Sequence, residues 1–529
     1  MLPDEDGIRE LTEGPWTPGI RSELTRELLA LSSIFRGDNV FNDLKQALEI
    51  RDATGLALEE VAVFRPERLA LHEALVRVTA DYEVPDPEDA KVSDLGINFR
   101  RMAQTILARV IEPNGAEIGH HYNQLRCALT SFIENELRSC FSHRPSNSPK
   151  DLPRSGRGFG RWFGKPNRSQ PELQENSWDR DGRILQEWTD RASSSDIDVH
   201  AAGLRALVRA ASAVRLRHGR ILGQHAFLGG LAADLACNEF GSQMLGRLLE
   251  PKICEVGETE GFQRLRAQAR PVLMVTKGAS ASGKSTMRPL QRKLAAKLGL
   301  QWQDFALISP DIWRKVLLGF GSLGPLYKYA GMLTSHEVGI IDRKLDDYLV
   351  RKGEQGIISH LLIDRFRFDS FALDANENKR LVSRFRNLMC YFFMVTPPHE
   401  TVERAWKRGL EIGRYKAIDD LLAHNVEAYT GMQNILFGRM LNRNLRVHFE
   451  FLDNDVPREE VPLTVAFGWS GEMNIFDVKR MLDICRYQKI NINAQNRSEV
   501  YPDERGDGAR KQFGILGLLR AAISRIEPC

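Results

Sequence analysis

Cysteine is sparse and scattered: seven residues, at positions 127, 140, 237, 254, 390, 485 and 529, with no C-x-x-C spacing. An odd, unpatterned set excludes a disulfide framework and a readable zinc site, and suits reduced thiols. No run of ~18 uninterrupted apolar residues occurs, so no membrane span is expected. The start, Met1-Leu2-Pro3-Asp4-Glu5-Asp6, is acidic and lacks the basic-then-apolar order of a signal peptide. Neither charge dominates, with 73 Lys and Arg against 70 Asp and Glu. Whole-chain charge therefore argues neither for nucleic acid nor for an anionic membrane. No internal repeat is evident. These absences lead to the expectation of a cytoplasmic protein. At 529 residues and 42% apolar content, the chain has core enough for two to four domains, at ~150 residues each.

The apolar rhythm divides the chain. Residues 1–142 are expected to form a helical domain, from 3.6-residue spacing over Glu23–Phe35, Phe41–Ala53, Pro66–Tyr82, Asn98–Ile111 and His120–Cys140. Residues 143–181 form a basic linker rich in Pro, Gly and Ser. A second helical region spans 182–264, with its helix His225–Leu249 interrupted at Gly229-Gly230. From 265 to 456 the pattern alternates strand with helix, the mark of a parallel sheet with crossover helices. Candidate strands there are Val272–Thr276, Phe305–Ile308, Gly356–Ile363, Met389–Val395 and Val447–Leu452. A C-terminal extension, 457–529, carries one strand (Leu463–Phe467), a helix (Ile475–Tyr487) and a final amphipathic helix (Phe513–Ile526). The expected fold class is an α/β P-loop core preceded by a large, mainly α-helical region.

The most informative run is Pro271 to Thr286, a buried-strand pattern entering Gly278-Ala279-Ser280-Ala281-Ser282-Gly283-Lys284-Ser285-Thr286. This is G-x-x-x-x-G-K-S, the phosphate-binding P-loop. Its glycines let the backbone turn where a side chain would block the ligand, and successive N–H groups form an anion nest. Lys284 is expected on the β- and γ-phosphates of ATP or GTP, and Ser285 on Mg²⁺. Met287, Leu290, Leu294 and Leu298 mark the helix that follows.

Two carboxylates follow strands. Asp311, in Ile308-Ser309-Pro310-Asp311-Ile312-Trp313-Arg314, falls where ligands gather at the carboxyl edge of such a sheet. It is suited to orient a hydroxyl and accept its proton, the preferred reading, and a compatible alternative is a helix cap. Asp364 ends the third candidate strand and suits a Mg²⁺ position, with a solvent-facing carboxylate as the alternative. His360, inside that strand, is read as a core histidine. Arg365-Phe366-Arg367-Phe368 suits phosphate contact or a solvated turn in equal measure. Arg404, Arg408 and Arg414 form an arginine-bearing lid, with Gly409 and Gly413 expected to break the helix and leave Arg414 in a mobile loop. The alternative is a basic helix solvating its charged heads. In the linker, Arg144, Lys150, Arg154, Arg157, Arg161, Lys165 and Arg168 alternate with Phe159, Trp162 and Phe163. That composition suits single-stranded nucleic acid, but a soluble spacer is the preferred reading.

Together these residues resemble the zeta toxin family of P-loop kinases, over about 265–455. Gly278 to Thr286 is similar to that family's Walker A loop. Ile308-Ser309-Pro310-Asp311 with Trp313 resembles its I-D-x-D-x-F segment, which puts Asp311 on the catalytic aspartate. Asp364 is similar to its strand-terminal glutamate, although Arg365-Phe366 stands where the family has G-T. Glu403-Arg404 and Arg414 resemble the lid arginines. The family's substrate-binding acid has no placed counterpart in the helix Glu337–Arg351. The resemblance implies a Mg²⁺-dependent kinase that moves the γ-phosphoryl group of ATP or GTP to a hydroxyl of a nucleotide-like small molecule, in some members a UDP-linked amino sugar. It also implies a protein partner such as an antitoxin. A polynucleotide 5′-hydroxyl kinase and a nucleotide-dependent switch or scaffold are the alternatives.

Overall fold

The computed structural model describes residues 13–83, 96–141, 177–221, 225–364, 381–440, 445–457, 460–502 and 525–528. The expected linker therefore lies mostly outside the described residues, as do Arg365 to Phe368 and most of the final amphipathic helix.

Among the described residues, eight strands form one sheet: β1 (Leu273–Lys277), β2 (Phe305–Ile308), β3 (His360–Ile363), β4 (Met389–Val395), β5 (Val447–Asp453), β6 (Leu463–Trp469), β7 (Glu472–Ile475) and β8 (Arg525–Pro528). Their spatial order is β2-β3-β1-β4-β5-β6-β7-β8. The first five run parallel, with Leu273 of β1 level with Leu361 on one side and Met389 on the other. Every residue of β4 is buried, as a central parallel strand covered on both faces requires. β6 and β7 continue the sheet antiparallel as a hairpin turned at Gly471, whose φ of 90° suits glycine.

One face of this sheet closes on the helix Arg288–Lys297. Met274, Phe305, Leu307, Leu362 and Phe392 are buried there, with Leu290 and Leu294 packed against them. The helix Val478–Tyr487 begins after β7, so the expected helix from Ile475 starts too early. Arg525 and Ile526, assigned from sequence to a helix, lie in β8 and pair parallel with β7.

Contacts group the chain into two units that depart from the linear division expected above. One takes described residues of Phe41–Pro66 and Ala116–Leu245. Its helices include Leu44–Thr54, closed by an Asp43–Gln46 capping box, Ser177–Ser194, Asp198–His218 and His225–Ala236. Gly229-Gly230 do not interrupt the last of these. A Cβ on Gly229 would come within 3.3 Å of Leu137, so the glycine permits close helix packing. The break falls instead at the π-helical turn Cys237–Gly241.

The other unit joins the sheet to the described parts of Met1–Val40 and Glu67–Gly115. The reason is a set of buried polar contacts along the helix Pro66–Asp81. Arg68 donates from Nε and Nη2 to both oxygens of Glu337, at 2.5 and 2.8 Å. His72 donates from Nε2 to Glu337 Oε1 at 2.7 Å, and its Nδ1 accepts from Lys344 at 3.3 Å. Trp313 Nε1 donates to Thr79 Oγ1 at 3.0 Å, and Tyr348 donates to Asp81 at 2.7 Å. A buried carboxylate persists only when paired and hydrogen-bonded, and Glu337 has both. The opposing Arg68 charge and the His72 bond hold its carboxyl well below the usual range despite burial.

Two predictions follow from this network. Glu337→Gln keeps the shape but leaves Arg68 buried without its counter-charge, a loss of about 3–5 kcal/mol for a broken buried pair. A melting temperature within a degree of wild type would contradict it. Burial, then the charge of Lys344, pushes His72 down to about 4. An unfolded histidine protonates near ~6.5, so the unfolded chain gains a proton that the folded one refuses. Stability is thus full above that pH and falls as pH drops toward 4. Thermal melts at several pH values should show a shallower fall for His72→Gln.

Candidate functional site

β1 runs directly into the loop Gly278–Thr286, and the sheet braces that loop from two further strands. Ser282 is buried, and its carbonyl accepts from Thr396 Oγ1 after β4 at 3.1 Å and from Asn454 Nδ2 after β5 at 2.8 Å. Gly283 has φ +85°, and a Cβ there would meet Asn454 Nδ2 at 2.1 Å. Gly278 is equally constrained, since its Cβ would fall 2.5 Å from Ser282 Oγ. Both glycines of the motif are therefore dictated by backbone turn and close approach. Ala281 takes a left-handed conformation without being glycine, with φ 61°. Such outliers gather where the surroundings hold a loop for ligand contact.

Lys284 turns back over the loop and donates from Nζ to the carbonyls of Gly278 and Ala279, at 3.2 and 2.9 Å. Burial lowers it to about 8, against the favourable charge of Asp364. Ser285 and Thr286 lie in the 3₁₀ turn Lys284–Met287 that opens the next helix. The Thr286 hydroxyl is spent on Gly283 O at 2.7 Å. Ser280 donates its backbone N–H to His424 Nδ1 at 3.2 Å.

A cavity of about 290 Å³ opens over this loop. Lys284, Asp311, Asp364 and Arg414, four of the residues singled out from sequence, border it together. Asp364 follows β3, donates its N–H to Ile308 O at 2.9 Å, and stands 3.9 Å from Arg288. Asp311 lies in the 3₁₀ turn Pro310–Ile312, where Ser309 holds the cap position and no side chain caps. The cap reading therefore falls away. The Asp311 carboxylate instead accepts from Arg314 Nε at 2.8 Å and from Arg414 Nη2.

Arg404 sits elsewhere: its guanidinium donates to Asn454 O at 2.8 Å and does not border the cavity. Arg408, one turn further along the helix Pro398–Ile412, does border it. It donates to Ser280 Oγ at 3.2 Å and to Arg414 O at 3.0 Å. Gly409 does not break that helix, contrary to the sequence expectation. A Cβ there would press on Tyr415 Cβ at 2.7 Å, so the residue is needed for close packing. Gly413, left-handed at φ 72°, is what ends the helix ahead of Arg414.

Several bordering residues escaped the sequence reading. Arg314 stands three positions after Asp311, a spacing that was visible and went unused. Lys416 pairs with Asp420 at 3.0 Å across one helical turn. Ser22 and Leu24 reach the cavity from the N-terminal segment, where Ser22 donates its N–H and hydroxyl to Asp419. No local signal marks them: Asp419 lies 397 positions from Ser22, and Leu24 packs in a cluster that otherwise starts at Leu318 among its buried members. Glu337 does not border the cavity, its carboxylate being committed to Arg68 and His72.

Burial pushes Arg314, Arg408 and Arg414 each down to about 10. All three stay charged at neutral pH, and with Lys284 and Lys416 they face three carboxylates, Asp311, Asp364 and Asp420. The balance is positive, which favours an anionic ligand. Of the two residues expected to hold Mg²⁺, Asp364 borders the cavity and Ser285 does not; both carry the oxygen donors that such a hard cation takes.

No family model matches this chain, and no curated relative matches it. Among solved structures, the chain is similar to one described in work on the PezAT chromosomal toxin–antitoxin system of the human pathogen Streptococcus pneumoniae. The identity is 13% and the TM-score 0.25, over 49% of this chain and 89% of that one.

The lowered Lys284 makes the charge of the cavity pH-sensitive, which is tested with a polyphosphate probe. A lysine that deprotonates near 8 is charged below that pH and loses its charge above it. Tripolyphosphate binding, followed by calorimetry, should weaken from pH 7 to pH 9. Lys284→Arg, charged throughout, should flatten the decline. An equal decline in both proteins would remove Lys284 from the phosphate site.

Proposed function

We propose that this chain is a Mg²⁺-dependent P-loop kinase that transfers the γ-phosphoryl group of ATP or GTP to a hydroxyl of a nucleotide-like small molecule. The observation that carries the reading is the meeting of Lys284 and the Asp311 carboxylate on one cavity edged by Arg408 and Arg414. A phosphate-binding loop alone suits a switch as well as a kinase. A carboxylate facing that loop adds what transfer requires, a group that orients the attacking oxygen and takes its proton.

Each residue then has a role in this reading. The N–H groups of Gly278 to Thr286 and the Lys284 ammonium bind the phosphates. Ser285 and Asp364 would hold Mg²⁺, which when bound neutralises charge on the β- and γ-phosphates. Arg408 and Arg414 face the charge that spreads over the transferring group. Arg404, turned to Asn454, steadies the lid helix against β5. The acceptor is read as a small molecule, and a protein partner of the antitoxin kind belongs to the same proposal.

The test is incubation of the purified protein with labelled ATP or GTP and a metabolite extract, followed by identification of labelled products. Lys284→Ala should lower transfer by orders of magnitude in a folded protein. Asp311→Asn should retain nucleotide affinity within about threefold and lose ~10²-fold or more in turnover, as removal of a general base does. If affinity and turnover fall together, Asp311 is structural and the kinase assignment fails.

A further inference from the structure

Two guanidinium groups converge on Asp311, and their surroundings differ. Arg314 belongs to the same turn of chain, and Asp311 is one of several acceptors it serves. From Nη1 it also donates to Gly331 O at 2.5 Å, Thr334 Oγ1 at 2.8 Å and Ser335 Oγ at 3.4 Å. These partners fix its position whether or not Asp311 is present. Arg414 is anchored through its backbone: its carbonyl accepts from Arg408 Nε and its N–H donates to Arg408 O at 3.3 Å. Among the described residues its guanidinium has a single acceptor, Asp311 Oδ2. Arg408 in turn reaches Ser280 of the phosphate loop, so the backbone of Arg414 is tethered beside that loop while its side chain points away to the carboxylate.

We infer that the two arginines serve Asp311 on different terms, a reading that rests on the kinase assignment above. Arg314 is a positioning residue that holds Oδ1 throughout the cycle. Arg414 is an exchangeable latch on Oδ2, drawn off by a polyphosphate bound in the loop. A carboxylate offers Arg414 one negative charge, whereas a polyphosphate offers several. Release of the latch frees Oδ2 for the acceptor. The acceptor oxygen then bonds to the γ-phosphorus, the bond from that phosphorus to the β–γ bridging oxygen breaks, and its electron pair leaves with the nucleoside diphosphate. The hydroxyl proton passes to Asp311 Oδ2. Until phosphate arrives, each oxygen of the base accepts from a guanidinium, which leaves an incoming hydroxyl one lone pair fewer on Oδ2.

The latch is tested without reference to turnover by carbodiimide labelling of Asp311, read by peptide mass spectrometry, with and without tripolyphosphate. In the unaltered protein, tripolyphosphate should raise Asp311 labelling severalfold. Arg414→Gln should label at that raised level without tripolyphosphate and gain little on its addition. Arg314→Gln should still respond to tripolyphosphate, because its latch is intact. Labelling that stays constant or falls when tripolyphosphate binds the unaltered protein overturns the latch, and this measurement needs no variant to fold. The positioning role is read from turnover against affinity. Arg314→Gln should lower transfer at least tenfold with tripolyphosphate affinity within twofold, and Arg314→Lys should recover part of the loss. Equal losses in turnover and affinity would make Arg314 a structural residue. If no phosphoryl transfer is found in any protein, the kinase assignment fails while the labelling result still decides the latch.

Discussion

Positive charge held out of water at the carboxyl edge of the parallel sheet is the constraint on which the site depends. Lys284, Arg314, Arg408 and Arg414 are each pushed down by burial, so each is costly to keep charged where it stands. Three devices hold them. Loop carbonyls and Asp364 steady Lys284, Asp311 takes Arg314 and Arg414, and the Ser280 hydroxyl takes Arg408. Asn454 and Thr396 fix the loop itself, so the cations meet a ligand in a set geometry. Such preorganisation is what favours a charged ligand over water, because the dipoles need no rearrangement when it arrives.

The same unit treats a second buried charge in the opposite way. Around Glu337, Arg68 is bidentate and His72 adds a further bond, so the carboxylate is fully matched. The one cluster is closed and lies among packed helices, and the other borders open volume. A matched network fixes how the helices Pro66–Asp81 and Ser335–Glu354 meet, while the mismatched one leaves affinity for an incoming anion.

Much of the sheet was legible in sequence. Phe305–Ile308 and Met389–Val395 match observed strands end to end, because buried parallel strands are short apolar runs bounded by turn residues. That Lys284 and Asp311 come to border one cavity agrees with a sequence pattern that is local, a glycine-rich turn after one strand and an acid after the next. What was missed is long-range. Arg68 and His72, one turn apart, look like the polar face of a surface helix, and nothing near them in sequence announces Glu337 as their partner. The grouping of Met1–Val40 and Glu67–Gly115 with the sheet rests on contacts of the same long-range kind, which composition along the chain does not carry. Lid arginines were narrowed to a helix face, yet which one borders the cavity depended on packing: Arg408 does, and Arg404 one turn away meets Asn454. Gly409 was misread because a tight contact and a helix break leave the same letter in a sequence.

The bond from Ser22 to Asp419 has a consequence in time. A ribosome makes Ser22 early, and its partner follows 397 residues later. At ~5–20 residues per second, that separation lasts tens of seconds. Until Asp419 is made Ser22 lacks its partner, so a partly made chain carries the loop Gly278–Thr286 without a finished cavity. Completion of the cavity thus waits on synthesis through Asp419.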